Sequence, residues 1–67
     1  MLLITRVTDK FSRVDVEISL PFDMRKKCRF KTYSVEGEEV GIFLERGTIL
    51  ADGDHLVSED GRVIRVV

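Results

Sequence analysis

An alternation of polar and apolar residues, interrupted by a single glycine turn, constrains this chain more than any other feature. Cys28, Phe30 and Thr32 alternate with Lys27, Arg29, Lys31 and Tyr33. Beyond Val35-Glu36-Gly37 the pattern resumes, with Val40, Ile42 and Leu44 in step. A period of two belongs to strands with one face on a core and the other in water. Two such runs on either side of a glycine form a hairpin, and the faces select its register. A two-residue loop at Glu36-Gly37 sets Arg29 against Leu44 and Lys31 against Ile42, which puts charges on the apolar face. A three-residue loop, Val35-Glu36-Gly37, sets Phe30 against Ile42 and Cys28 against Leu44. It also gives Gly37 the left-handed position that such loops favour. The three-residue loop is therefore expected.

The rest of the chain reads in the same terms. Leu2–Val7 is an apolar first strand, and Asp9–Ser12 a loop in which Phe11 is a candidate for burial. In Arg13–Ser19, Val14, Val16 and Ile18 face one way and Arg13, Asp15, Glu17 and Ser19 the other. Leu20-Pro21 ends that strand, because proline has no amide hydrogen to donate and restricts the residue before it. A turn or short helical loop is expected at Leu20–Met24, feeding a strand from about Arg25 to Tyr33. Arg46-Gly47 is a further turn, Thr48–Leu50 a short strand, and Ala51–Asp54 a turn whose Asp-Gly step supplies positive φ. His55–Ser58 and Arg62–Val67 flank a last turn at Asp60-Gly61. Its register stays open, since either loop length leaves one polar residue on each face. No segment keeps helical periodicity over the roughly ten residues that a helix requires. The expectation is one all-β domain of six to seven short strands, built as a small two-sheet sandwich or barrel.

A chain of 67 residues buries only about 60% of its unfolded surface, so its stability is marginal. One cysteine cannot form an internal disulfide, and with no signal-peptide pattern at MLLIT it points to a reducing, cytoplasmic setting. No apolar run approaches the roughly 20 residues of a membrane span. The last strand, Val63–Val67, has no polar tail, which implies either a longer protein cut at this point or a following domain.

Net charge is −1 and the isoelectric point about 5.7, against a general nucleic-acid binder. The charge is nonetheless patterned. Leu20–Lys31 holds the only proline, the only cysteine and five of the eleven Lys/Arg residues. A basic patch on a slightly acidic domain fits a directed protein contact, and it equally fits a solvated strand face. Catalysis finds no support. His55 and Asp54 are neighbours on a strand and point to opposite faces, and Cys28 is an inward-facing thiol far away in sequence. The glycines lie one per turn, so there is no phosphate loop. One His and one Cys cannot fill a tetrahedral metal site. A nucleic-acid reading through Arg25–Lys31 needs aromatic platforms on the cationic face; Phe30 should point inward, leaving Tyr33.

The motifs fall in a recognisable order. Leu20-Pro21-x-Asp23-x-Arg25-x-Lys27-x-Arg29 is followed by Glu36-Gly37-x-Glu39-x-Gly41. Then comes Leu44-x-Arg46-Gly47-x-x-Leu50-x-x-Gly53-Asp54-x-Leu56, and finally the Val63–Val67 strand. Over nearly the whole chain this resembles the N-terminal domain of the UreE family of urease accessory proteins, which are nickel metallochaperones. Glu45 stands where that family often has proline, and Cys28 where serine is frequent. The resemblance implies an all-β module similar to the peptide-binding domain of DnaJ-type chaperones, without enzymatic activity, that engages urease apoprotein and other urease accessory proteins. It implies a second, ferredoxin-like domain for nickel and for dimerisation. That domain lies outside this chain, so no ligand histidine carries over, no cofactor is expected here, and His55 matches no ligand position. The residues expected to make the partner contact are Arg25, Lys26, Lys27, Arg29, Lys31 and Arg46, with Tyr33 and Phe43 as apolar neighbours. A stand-alone β-barrel that binds nucleic acid is the alternative.

Overall fold

A computed structural model describes all 67 residues. Six strands follow one another: β1 (Leu2–Thr8), β2 (Val16–Ile18), β3 (Arg29–Tyr33), β4 (Glu39–Phe43), β5 (His55–Ser58) and β6 (Val63–Val66). The one helical piece is a single 3-10 turn, Met24–Lys26. All six strands join one sheet in the order β2-β6-β5-β1-β4-β3. Its two edges meet at one end, where Ile18 bridges Ser34 and the Val35 amide donates to the Glu17 carbonyl at 2.9 Å. The sheet is therefore curled into a half-barrel, the barrel form of the expected all-β domain.

Each inward-pointing set on the strands supplies the core. Leu2 and Ile4, Val16 and Ile18, Val40, Ile42 and Leu44, Leu56, and Ile64 and Val66 are buried inside the curl with Leu20 and Leu50. The β3–β4 hairpin has the expected register. Phe30 pairs with Ile42, the Leu44 amide donates to the Cys28 carbonyl at 2.7 Å, and Gly37 closes the loop at φ 92°. The β5–β6 turn settles in the three-residue form, Glu59-Asp60-Gly61. The Ser58 amide donates to the Arg62 carbonyl at 2.9 Å, and Gly61 has φ 89°.

Four expectations are corrected. The strand placed from Arg25 begins only at Arg29, because Met24–Lys26 coils into the 3-10 turn that follows Pro21. Thr48–Leu50 is irregular; Leu50 is buried, but its amide bonds to the Arg25 carbonyl at 2.9 Å rather than to a strand. The second strand is short, since regular pairing with β6 covers only Val16–Ile18. Phe11 is exposed and lies flat on the His55 imidazole, with ring centroids 3.7 Å apart.

Two features lie beyond hairpin logic. β1 runs parallel to β4 and β2 parallel to β6, so the two halves of the chain interleave. A bulge at Thr5 shifts the β1–β5 register between Ile4 and Arg6.

Candidate functional site

The hairpin alternation that buries Phe30 and Ile42 sends Arg29, Lys31, Tyr33 and Phe43 to the opposite, outer face of the sheet. Arg29 is paired with Phe43, Lys31 with Gly41, and Tyr33 with Glu39. Tyr33 and Phe43 are about half exposed on this face. The parallel partner β1 adds Leu3 directly beside Gly41. Gly41 keeps this face shallow. A Cβ there would sit 2.9 Å from the Met1 sulfur, 3.1 Å from Phe43 Cε2 and 3.2 Å from Leu3 Cδ2. Met1, Leu3 and Phe43 therefore close over the glycine as an apolar platform, rimmed by Arg29, Lys31 and Tyr33.

The basic residues divide by what holds them. Arg25 is occupied internally: its Nε donates to the Leu20 carbonyl at 3.0 Å and its Nη2 to the Val67 carbonyl at 3.1 Å. It clamps the end of the last strand to the loop before the 3-10 turn. Lys26 lies over the Phe22 ring, 5.1 Å from its centroid, within the range of a cation–π contact. Lys31 reaches Glu39 at 3.4 Å across the hairpin. Lys27, Arg29 and Arg46 have no carboxylate partner. Arg46 lines one groove with Cys28, Arg29, Leu44 and Glu45, which brings it beside the β3 cations. The structure thus gathers Lys27, Arg29, Lys31, Arg46, Tyr33 and Phe43 around the β3–β4 hairpin, and it sets Arg25 apart as a clamp.

Two other basic residues are held by carboxylates. On β2 and β6, Glu17 faces Arg65 and pairs with it. Arg62 forks onto both Glu38 oxygens at 3.0 and 2.9 Å and also contacts Asp60 at 3.1 Å. The Arg62 hydrogen bonds hold the Glu38 carboxyl below its ordinary range and push the guanidinium up. Asp60 is lowered first by the Ser58 hydroxyl that donates to it, then by Arg62. This cluster ties two hairpin turns together, whereas Arg29 on β3 has no such partner.

Chemistry of other kinds finds little purchase. No three His, Cys, Asp or Glu side chains converge as a metal site needs. The Asp54 carboxylate accepts from the Ala51 amide at 2.9 Å and so caps its own turn instead of orienting His55. The Cys28 thiol is half-buried and directed at the Thr48 carbonyl, 3.8 Å away. No helix is long and apolar enough to cross a membrane.

Met1, Leu3, Gly41 and Phe22 were not legible as surface features. The alternation of Glu39, Gly41 and Phe43 opposite the buried residues was the signal for Gly41. Leu3 needed the β1–β4 pairing, which joins segments almost forty residues apart.

A curled all-β half-barrel with a cationic, aromatic outer face is the class of domain that fold and surface define. Comparison with known proteins gives the family. Residues 4–67 match the model of the UreE urease accessory protein, N-terminal domain. Urease accessory protein UreE of Pseudomonas fluorescens (strain Pf0-1) is 48% identical over 67 residues, covering 98% of this chain and 40% of that protein. The protein of the same name from Ectopseudomonas mendocina (strain ymp) is 47% identical over 63 residues, covering 92% of this chain and 37% of the relative. That from Janthinobacterium sp. (strain Marseille) is 42% identical over 66 residues, covering 98% and 39%. The chain belongs to the UreE urease accessory protein family, through its N-terminal domain. It spans about two-fifths of the length of these relatives.

Proposed function

We propose that this chain is the partner-docking domain of a urease nickel metallochaperone, and that it acts in the cytoplasm without catalysing a reaction. Its partners are urease apoprotein and the other urease accessory proteins. Nickel binding and dimerisation belong to the remaining three-fifths of proteins of this kind. The family match and the relatives' names support the urease setting. They give no support to the nucleic-acid alternative.

One observation carries the docking role: Lys27, Arg29 and Arg46 stay without carboxylate partners beside exposed Tyr33 and Phe43 on one hairpin, whereas Arg62 and Arg65 are each paired with a carboxylate. Exposed aromatics with unpaired cations favour capture of an acidic protein surface. The aromatics supply contact area and the charges steer encounter. Lys26 extends the same positive field. The test is to reverse Lys27, Arg29 and Lys31 to Glu, leaving Arg25 in place because its loss would loosen the C-terminal strand. Association with urease apoprotein and accessory proteins should slow by roughly tenfold or more in low salt and lose most of its salt dependence. An unchanged on-rate with an intact fold would return these residues to the role of a solvated strand face.

A further inference from the structure

β3 is an edge strand, and its free edge is complete enough to identify what it takes. The hydrogen-bond alternation of an antiparallel pair fixes which residues point toward β4 and which point away. The Ser34 amide donates to the Glu38 carbonyl at 2.8 Å, and the Cys28 carbonyl accepts from Leu44 at 2.7 Å, so even-numbered residues bond to β4. Val35, an odd-numbered residue, donates in the opposite direction, to Glu17 of β2. The amides of Arg29, Lys31 and Tyr33 and the carbonyls of Arg29 and Lys31 therefore face away from the sheet, and none of them takes part in a loop, turn or cap bond, while the Tyr33 carbonyl lies against Ser19 beside the bridge. Backbone groups left in this state must face water. Contact between the two edges stops beside Ile18 and Ser34, at the Tyr33 carbonyl, and beyond it the β3 edge is open at Arg29 and Lys31 and at the Tyr33 amide.

We infer that this edge accepts an acidic, extended segment of a partner protein as a seventh strand, a reading that rests on the docking role above. An added antiparallel strand bonds to Arg29, Lys31 and Tyr33, and its residues opposite these three share the outer face. Carboxylates belong opposite Arg29 and Lys31, and an aromatic or aliphatic side chain opposite Tyr33. The residues between them point to the inner face, toward Phe30 and Thr32. These two are only half covered, and Phe30 packs against the core from its border. An apolar side chain from the new strand completes that border. The ligand is thus apolar-x-acidic-x-acidic, with apolar residues at x. A second copy of the chain does not fit. Two β3 edges paired about Lys31 set Lys31 against Lys31, a like-charge contact that edge strands use to prevent self-pairing.

The test uses the 67-residue chain and a labelled synthetic peptide containing Tyr-Val-Glu-Val-Glu, in three forms. One is unmodified, one is N-methylated on both Glu residues, and one is N-methylated on both Val residues. The Glu amides of an added strand point at β3 and the Val amides away from it. Methylating Glu should weaken binding by about tenfold or more, since two edge bonds are lost. Methylating Val should leave affinity within about threefold. In hydrogen exchange, the amides of Arg29, Lys31 and Tyr33 should exchange freely in the free domain and become protected with peptide, while those of Phe30 and Thr32 are protected throughout. Equal binding of the two methylated forms, or no new protection at the three odd positions, overturns edge pairing. If charge reversal still slows capture of the urease proteins in that event, the docking role stands without it. If the peptide pairs with the edge but charge reversal leaves that capture unchanged, the docking role is what fails.

Discussion

Two residues show how unevenly this domain distributes its stability. Ile42 is fully buried, sits on the central part of the hairpin and has Phe30 directly across. Ile42→Ala should cost about 2–5 kcal/mol, enough to unfold much of so small a domain at 37 °C. A measured loss below about 0.5 kcal/mol, the range of a surface substitution, would mean that the face is not packed as described. Arg62 is the contrasting case. Its fork onto Glu38 and its contact with Asp60 are exposed and screened by water, and they report chiefly through pH. Both carboxyls are lowered in the folded chain, so the folded state holds fewer protons on them than the unfolded chain does. Their contribution is complete above ordinary carboxylate values, about pH 4, and fades as acid carries the pH down through the lower folded values. Arg62→Gln should remove most of the Glu38 part, since Arg62 is its main cause. Asp60 should keep the part that Ser58 supplies. Urea midpoints measured between pH 7 and pH 3 should therefore fall less steeply in the variant, and parallel curves would show that the fork does not set the acid limb.

The β3–β4 hairpin carries both the core register and the candidate surface, so its loop is the element to perturb. Gly37 has φ 92°, and nothing lies within 4 Å of the position a Cβ would take. The cost of a side chain there is the backbone conformation alone. Gly37→Ala should destabilise by about 1–2 kcal/mol without moving Phe30 from Ile42. A spectrum showing Phe30 opposite a different β4 residue would mean that the loop glycine sets the register by itself. Gly41 poses the opposite problem, with an ordinary backbone and crowded space. The hairpin was legible because its determinants are local: an alternation on each arm and one glycine between them. The start of β3 was not, because Arg25 and Lys26 carry the same charge whether they extend a strand or turn. The deciding contacts are distant ones, from Arg25 to the Val67 carbonyl and from its own carbonyl to the Leu50 amide.

For the whole molecule, the question that family membership raises is nickel. Tight divalent binding needs several ligands at one point. Here the one imidazole is stacked on Phe11, and the one thiol lies half-buried on the far side of the sheet order. The isolated chain should show no micromolar nickel site and no gain in melting temperature with nickel near neutral pH. Calorimetric titration giving one tight site per chain, lost in His55→Ala, would make His55 the functional centre.

The sequence by itself determined what depends on neighbours in the chain. It determined the all-β class, the inward and outward sets on each arm of the hairpin, the glycine turns, and the cations of β3 with Tyr33 and Phe43 on one face. The motif order also carried the family. Tertiary structure alone decided the curl of one sheet into a half-barrel, because parallel pairing of β1 with β4 and β2 with β6 joins segments that share no turn. It decided which cations are free, because Arg25, Lys31 and Arg62 find their partners through the fold. And it decided that β3 is an edge with Arg29 and Lys31 unpaired along it. Strand order is set by burying twelve apolar side chains in one volume, and no local pattern encodes which strand that packing leaves outermost.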